Sequence, residues 1–185
     1  DEVYGENIDK PFIEDDRLNP TNPYSASKAA AEMIVKSYHT SFKLPVIVVR
    51  ANNIYGIRQF PEKIIPKFIL RCIEGKSLQI HGNGSNLRHY LSAIDFASAL
   101  ELLLIKGEEG IAYNIASDLE LSNLEVADLI KDQFHNKKID IEHIDDRPFN
   151  DSRYAVNDSK LRDLGWSPKR NLKTDLPEIV EWYKN

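Results

Sequence analysis

Tyr24-Ser25-Ala26-Ser27-Lys28 places a phenol and an ammonium four residues apart, a spacing that on a helix stacks both on one face, one turn apart. A free tyrosine, with a pKa of about 10, is a poor base at neutral pH. A lysine charge beside it, helped by the positive end of the helix, favours the tyrosinate and lowers that pKa. So tuned, a tyrosine can take a proton from a sugar hydroxyl while a cofactor takes the hydride. Alone, Tyr-x-x-x-Lys is a weak pattern. Upstream, Asp1 and Glu2 are adjacent carboxylates heading Asp1-Glu2-Val3-Tyr4-Gly5, a run that reads as the end of a strand entering a loop. For an arbitrary chain the pair is simply a solvated acidic terminus. Loss of water from a sugar, however, needs an acid for the departing hydroxyl and a base for the neighbouring C–H, which two carboxyl groups with separated pKa values can supply.

These side chains must be held by α/β architecture. The proline-rich stretch Asn19 to Pro23 leads into a helix from Tyr24 to about Phe42, with Ala29, Ala30, Ile34, Val35 and Tyr38 at helical spacing. Val46-Ile47-Val48-Val49 follows, a β-branched run of the kind found in parallel strands covered on both faces. The pattern predicts a helix over Lys63 to Glu74, a short strand over Leu78 to Ile80 and a turn over His81 to Ser85. Next come a helix from about Ile94 to Lys106 and a strand around Ala112 to Ile115. Ser122, with Glu125 three residues on, opens a helix through about Phe134. A strand near Ile139 to His143 and helices around Asp158 to Leu164 and Asp175 to Tyr183 complete the α/β alternation.

Composition narrows the classes of partner. The 185 residues carry 24 basic and 29 acidic side chains, evenly mixed, for a net charge of −5, which leaves no basic face for nucleic acid. No apolar run approaches the roughly 20 residues that span a bilayer, so a cytoplasmic protein with no membrane partner is expected. The single cysteine, Cys72, reads as a small buried hydrophobe. The five histidines lack the spacing of a metal site, so no metal is expected.

Three segments in order, Asp1-Glu2-Val3-Tyr4-Gly5, Pro20-Thr21-Asn22-Pro23-Tyr24-Ser25-Ala26-Ser27-Lys28 and Arg50-Ala51-Asn52-Asn53-Ile54-Tyr55-Gly56, resemble the NAD-dependent nucleotide-sugar 4,6-dehydratases, which are extended short-chain dehydrogenases. The likeness continues through Gln59 to Pro66, Ile80-His81-Gly82, Arg88 to Asp95, Tyr113-Asn114-Ile115, Asp146 to Asp151 and Leu164-Gly165-Trp166, covering essentially the whole chain. It implies the C-terminal part of a Rossmann-type fold plus a small substrate-binding domain. Residues 1–56 would finish the NAD-binding domain, and residues 57–185 would mainly form the nucleotide-sugar domain, with some segments returning to the Rossmann sheet.

The resemblance further implies that Tyr24 is the base at the sugar 4-hydroxyl, and that Lys28 tunes it and holds the nicotinamide ribose. Asp1 would be the acid for water departure from C6 and Glu2 the base at C5. Asn53, Lys63, Arg88, Asn123 and Arg147 match positions that hold the nucleotide-sugar, the cationic ones near its diphosphate, and Asn53 also falls at the cofactor. The implied reaction oxidises C4 with NAD+, which acidifies the C5 proton, loses water across C5 and C6, and returns the hydride to C6. A 4-keto-6-deoxy sugar nucleotide results.

Two departures matter. The Gly-rich turn that seats the NAD pyrophosphate, with an acidic residue about 20 positions later, is not in these residues. His81-Gly82-Asn83-Gly84 does not replace it, since it precedes Arg88 in what reads as a short hairpin. With a first residue that is not methionine, the chain reads as a piece of a longer protein, inactive alone. The other departure is that His81 stands where many dTDP-sugar enzymes carry a tyrosine near the nucleobase, and Asn150 where histidine is frequent. Both variants look more like the UDP-glucose 4,6-dehydratase part of rhamnose synthases and lean toward UDP-glucose over dTDP-glucose. A UDP-glucuronate decarboxylase or 4-epimerase shares the Tyr24/Lys28 apparatus, although neither needs the Asp1/Glu2 pair. A non-catalytic sugar-nucleotide-binding module is a third reading. Many relatives dimerise through the Tyr24-bearing helix and its neighbour, so a homodimer is expected.

Overall fold

The computed structural model describes residues 2–7, 9–135, 138–146 and 151–185. Its helices are α1 (Pro23–Phe42), α2 (Ile64–Ile73), α3 (Ala93–Lys106), α4 (Asn123–Lys131), α5 (Ser159–Asp163) and α6 (Leu172–Lys184). Its strands are β1 (Val48–Ala51), β2 (Asn53–Tyr55), β3 (Leu78–His81), β4 (Leu87–Ser92), β5 (Ala112–Ile115), β6 (Glu120–Ser122), β7 (Ile141–Ile144) and β8 (Arg153–Tyr154). Every helix expected from the sequence is present, with ends displaced by at most a few residues.

Local chemistry sets the ends of these helices. Asn22 Oδ1 accepts from the Ser25 N–H and the Ser25 hydroxyl accepts from the Asn22 N–H, a reciprocal cap that starts α1 with Pro23 in its first turn. The same device at Ser122 and Glu125 starts α4 as expected. Strands pair in three groups: β1 with β5 in parallel, β3 with β7 in parallel, and β4 at the centre of a mixed sheet, parallel to β2 and β8 and antiparallel to β6.

Three apolar clusters hold this together. The largest gathers Ile65, Phe68, Ile69 and Cys72 of α2 with Leu78 and Ile80 of β3, Val126 and Ile130 of α4, and Leu172, Leu176 and Ile179 of α6. Cys72 is fully buried there, as the sequence indicates. The second joins Leu91, Ala99, Leu103, Tyr113, Ile115, Leu161 and Trp166 around β1 and β5. The third is small: Val3, Tyr4, Ala29, Ala116 and Val156.

Several expectations fail for identifiable reasons. Of the residues at helical spacing in α1, Ala29 is buried, whereas Ala30, Ile34, Val35 and Tyr38 are exposed, because the contact ridge runs through Ser25, Ala29 and Glu32. The β-branched run after Pro45 enters its ladder only at Val48, whose N–H bonds the Ile111 carbonyl at 3.1 Å, and its residues are half-buried. No hairpin precedes Arg88, since β3 pairs with distant β7 and β4 with β2, β6 and β8. Glu2 lies in a 3-10 turn, Glu2–Tyr4, and not at a strand end.

Candidate active site

The turn carrying Glu2 is pinned from several sides. The Gly5 N–H closes it on the Glu2 carbonyl at 3.1 Å, and the Asn19 N–H ties the Val3 carbonyl at 3.0 Å. Gly5 has φ +84, and a Cβ there would lie 2.5 Å from the Asn19 carbonyl oxygen, so both conformation and space demand glycine. Val3 and Tyr4 pack beneath the turn on Ala29 of α1, Ala116 and Val156. Glu2 itself is half-buried. In this way the turn is set against the N-terminal half of α1.

Tyr24 and Lys28 occupy one face of that helix, one turn apart and exposed, Tyr24 by 61%. Neither the Tyr24 phenol nor the Lys28 ammonium has a hydrogen-bond partner among the described residues. Both side chains are exposed at the surface of the helix.

Beneath them runs a buried polar network. The Tyr4 ring stacks on Phe12 at 5.0 Å between centroids, and its hydroxyl donates to Asn114 Oδ1 at 2.8 Å while accepting from Arg50. Arg50 Nε and Nη2 donate side-on to the Glu32 carboxylate of α1 at 3.0 and 2.5 Å, and Nη1 also donates to the Glu14 carbonyl at 2.9 Å. Burial pushes the Glu32 carboxyl upward, but the Arg50 and Lys36 hydrogen bonds and charges outweigh it and hold the pKa below the ordinary glutamate range. Burial raises the Tyr4 phenol above its usual value, against the opposing pull of Arg50.

A second polar group forms where residue 151 meets the approach to α1. Asp151 is buried, accepts from the Tyr154 hydroxyl, and accepts from the Thr21 hydroxyl at 3.2 Å. Burial raises its pKa, Thr21 and Arg88 oppose that, and the charges of Glu6 and Glu2 reinforce it. Arg88 Nη2 donates to the Asp151 carbonyl at 2.9 Å, and its guanidinium lies over the Tyr154 ring, 4.6 Å from the centroid. Asn86 Nδ2 donates to the same carbonyl at 3.1 Å, and the Asn123 N–H donates to the Asn86 carbonyl at 3.2 Å.

The expected site residues thus fall into sets. Glu2, Tyr24 and Lys28 are gathered around the first half of α1. Arg88 and Asn123 are linked through Asn86 and Asp151 to Thr21, just ahead of that helix. Asn53 lies in β2, half-buried, in register with Tyr90 of β4. His81 ends β3, its Nδ1 3.0 Å from the Asp145 carbonyl oxygen. Lys63 stands exposed before α2, and Glu62 at 3.9 Å is its ion-pair partner among the described residues. Asp1, Arg147 and Asn150 lie outside the described residues. Sequence reasoning did not single out Tyr4, Glu32, Arg50 or Asp151. Tyr4, Arg50 and Asp151 fall within segments that carry the family resemblance, which assigns them no role, and Glu32 lies outside those segments.

Against known proteins, the model of the GDP-mannose 4,6 dehydratase family matches residues 1–179. A trifunctional UDP-glucose 4,6-dehydratase, UDP-4-keto-6-deoxy-D-glucose 3,5-epimerase and UDP-4-keto-L-rhamnose-reductase of Arabidopsis thaliana is 48% identical over 187 residues, covering 99% of this chain and 28% of its own. The dTDP-D-glucose 4,6-dehydratase of Dictyostelium discoideum is 44% identical, covering 100% of this chain and 53% of its own. The crystal structure of dTDP-glucose 4,6-dehydratase from Bacillus anthracis in complex with NAD superposes with a TM-score of 0.92 at 41% identity, over 99% of this chain and 59% of that one. The chain therefore spans between about a quarter and three fifths of the length of these relatives.

Proposed function

The chain belongs to the GDP-mannose 4,6 dehydratase family, and from that premise we propose that the protein carrying it removes water from UDP-glucose or dTDP-glucose, giving the 4-keto-6-deoxy sugar nucleotide for rhamnose or another deoxysugar. The observation that carries this reading is the packing of the Glu2-bearing turn on the first half of α1, whose exposed face presents Tyr24 and Lys28 together. Base chemistry at C5 and at the C4 hydroxyl needs that adjacency.

NAD is the cofactor in this reading, and the exposed Tyr24–Lys28 pair is a donor and acceptor set suited to a nicotinamide ribose. When bound, it supplies hydride acceptance at C4 and hydride return at C6. The chain's own groups do the proton work. Tyr24 takes the proton of the C4 hydroxyl, with the Lys28 charge one turn away favouring the phenolate. Glu2 removes the C5 proton once C4 is a ketone, and Asp1 protonates the leaving hydroxyl at C6. Arg88, Asn123, Lys63, Asn53 and His81, with Arg147 and Asn150, hold the nucleotide and diphosphate, the arginines through their planar forks. Residues 1–56 complete the dinucleotide-binding domain, and 57–185 form mainly the substrate side.

A cytoplasmic homodimer is part of the proposal. Helix α1 exposes Met33, Ile34, Val35, Tyr38 and Phe42, an apolar strip that a second copy would cover. No helix among the described residues is long and apolar enough to cross a membrane. A monomeric mass by light scattering of the complete protein would sink the dimer.

The direct test supplies the complete protein with NAD+ and either nucleotide-sugar and follows mass. Loss of one water is expected, and the preferred nucleotide identifies the base. Decarboxylation of UDP-glucuronate, or C4 inversion without water loss, would overturn the dehydratase reading.

A further inference from the structure

We propose that Arg50 and Tyr4 form a positioning bridge that fixes the Glu2 base against the Tyr24–Lys28 pair, an inference that rests on the dehydratase reading. The two sets of groups lie on different segments, a 3-10 turn and a helix, and must serve adjacent carbons of one sugar. Directly, the segments are joined by the Asn19 N–H to Val3 carbonyl bond just ahead of the helix and by an apolar contact. Helix α1 meets the apolar cluster under the turn through Ala29, a methyl that does not resist sliding along the helix axis. The polar link is directional. Arg50 grips Glu32 side-on through Nε and Nη2, 3.0 and 2.5 Å, and Glu32 lies one turn beyond Lys28 on the same helix. The same guanidinium donates to the Tyr4 hydroxyl, two residues after Glu2. Tyr4 is 1% exposed, Arg50 4% and Glu32 8%, so water cannot substitute for the missing partner if any is removed.

A guanidinium–carboxylate fork sets both distance and angle. Asn114, paired with Arg50 in register across β1 and β5, accepts the Tyr4 hydroxyl's hydrogen bond through Oδ1 at 2.8 Å and completes the clamp. None of these groups is placed to touch substrate. Their effect is on how closely Glu2 stands to the carbon it deprotonates, and a misplacement of about 1 Å costs on the order of 100-fold in rate.

Tyr4→Phe in the complete protein is the decisive variant, because it keeps the ring stacked on Phe12 and deletes only the hydroxyl. Arg50→Lys keeps the charge but loses the fork. Expected for Tyr4→Phe are a fall in kcat of about 10- to 100-fold, a nearly unchanged KM for the nucleotide-sugar, and near-ultraviolet absorbance of reduced nicotinamide building up in a single turnover because C5 deprotonation lags. In the cofactor-free protein, amide hydrogen exchange should quicken at Val3 to Gly5 while the β1–β5 ladder stays protected. Arg50→Lys should give the same pattern if it folds. A core variant at Ile69, matched in melting temperature, serves as control. If Tyr4→Phe slows reduction of nicotinamide and water loss equally, or no more than the control does, the bridge is merely structural and the proposal fails. If the wild-type protein loses no water from either nucleotide-sugar, the dehydratase reading fails first.

Discussion

Replacing Gly5 with alanine tests whether the Glu2 turn is as tightly built as its geometry indicates. At φ +84 an alanine is in the left-handed region, at a cost of about 1–2 kcal/mol. A stiffer unfolded chain offsets about 0.4–1 kcal/mol of that. The new Cβ would then meet the Asn19 carbonyl oxygen at 2.5 Å, a backbone atom with no rotamer to escape into. Relieving the clash moves Asn19 or the turn and strains the two hydrogen bonds that close it, Gly5 to Glu2 and Asn19 to Val3, each worth about 0.5–1.5 kcal/mol. The sum is about 1–4.5 kcal/mol, or a melting temperature lower by about 3–15 °C for a domain of this size. Gly75 supplies the comparison, since its φ is +71 but a Cβ there meets nothing within 4 Å; Gly75→Ala should cost only about 0.5–1 kcal/mol. Thermal unfolding of both variants in the complete protein, followed by circular dichroism, separates conformation from contact. Equal losses would refute the close-approach argument. Turnover should also fall in Gly5→Ala beyond what the folded fraction explains, because Glu2 moves with the turn.

Tyr24→Phe should cut turnover by about 10²- to 10⁴-fold while changing stability by less than about 0.5 kcal/mol, because the phenol is exposed and has no hydrogen-bond partner among the described residues; a large drop in melting temperature would mark it as structural. Ile69→Ala, in the α2 core at 0% exposure, should lower the unfolding free energy by about 2–5 kcal/mol in denaturant titration. Glu125, held below the ordinary glutamate range by the Ser122 N–H and hydroxyl, contributes stability that is present above its unfolded pKa and lost as pH falls through the depressed folded value. Glu125→Gln should therefore be less stable than wild type near neutrality and converge with it in acid; a gap independent of pH would contradict that assignment.

What was legible in the sequence and what was not divides along the range of the interactions. The helices are legible because their signals are local: the prolines ahead of α1, the prolines and glycines around α2, and the Ser122–Glu125 box of α4. β2, β4, β6 and β8 passed unread. Each is short or mixed in polarity, and each exists because β4 finds three partners far away in sequence. A hairpin was expected before Arg88 because the glycine turn suggested one, whereas the buried alternation of Leu78 and Ile80 is satisfied by β7 some sixty residues on. On α1 the helical spacing of Ala29, Ile34, Val35 and Tyr38 is legible, whereas the side that packs within the chain, the one bearing Ala29 and Glu32, shows only in the fold.

The candidate site follows the same division, with a consequence for how its chemistry is organised. Residues that would touch ligand, such as Tyr24, Lys28 and Arg88, carry motifs that a sequence displays. Those that would place them, Tyr4, Glu32, Arg50 and Asn114, are scattered over about 110 positions, and although three of them lie in segments that resemble the family, their contacts form only in the fold. A buried charge pair is seldom retained for stability, since well-packed apolar residues of similar volume do as well or better. In this chain Arg50 and Glu32 fix the relation between a turn and a helix that each carry a proposed proton-transfer group. An apolar pair there would preserve the core while releasing the orientation. Arg50→Met combined with Glu32→Leu in the complete protein should therefore fold with little loss in melting temperature and still turn over about 10- to 100-fold more slowly than wild type; wild-type turnover in that double variant would show that packing alone orients the site.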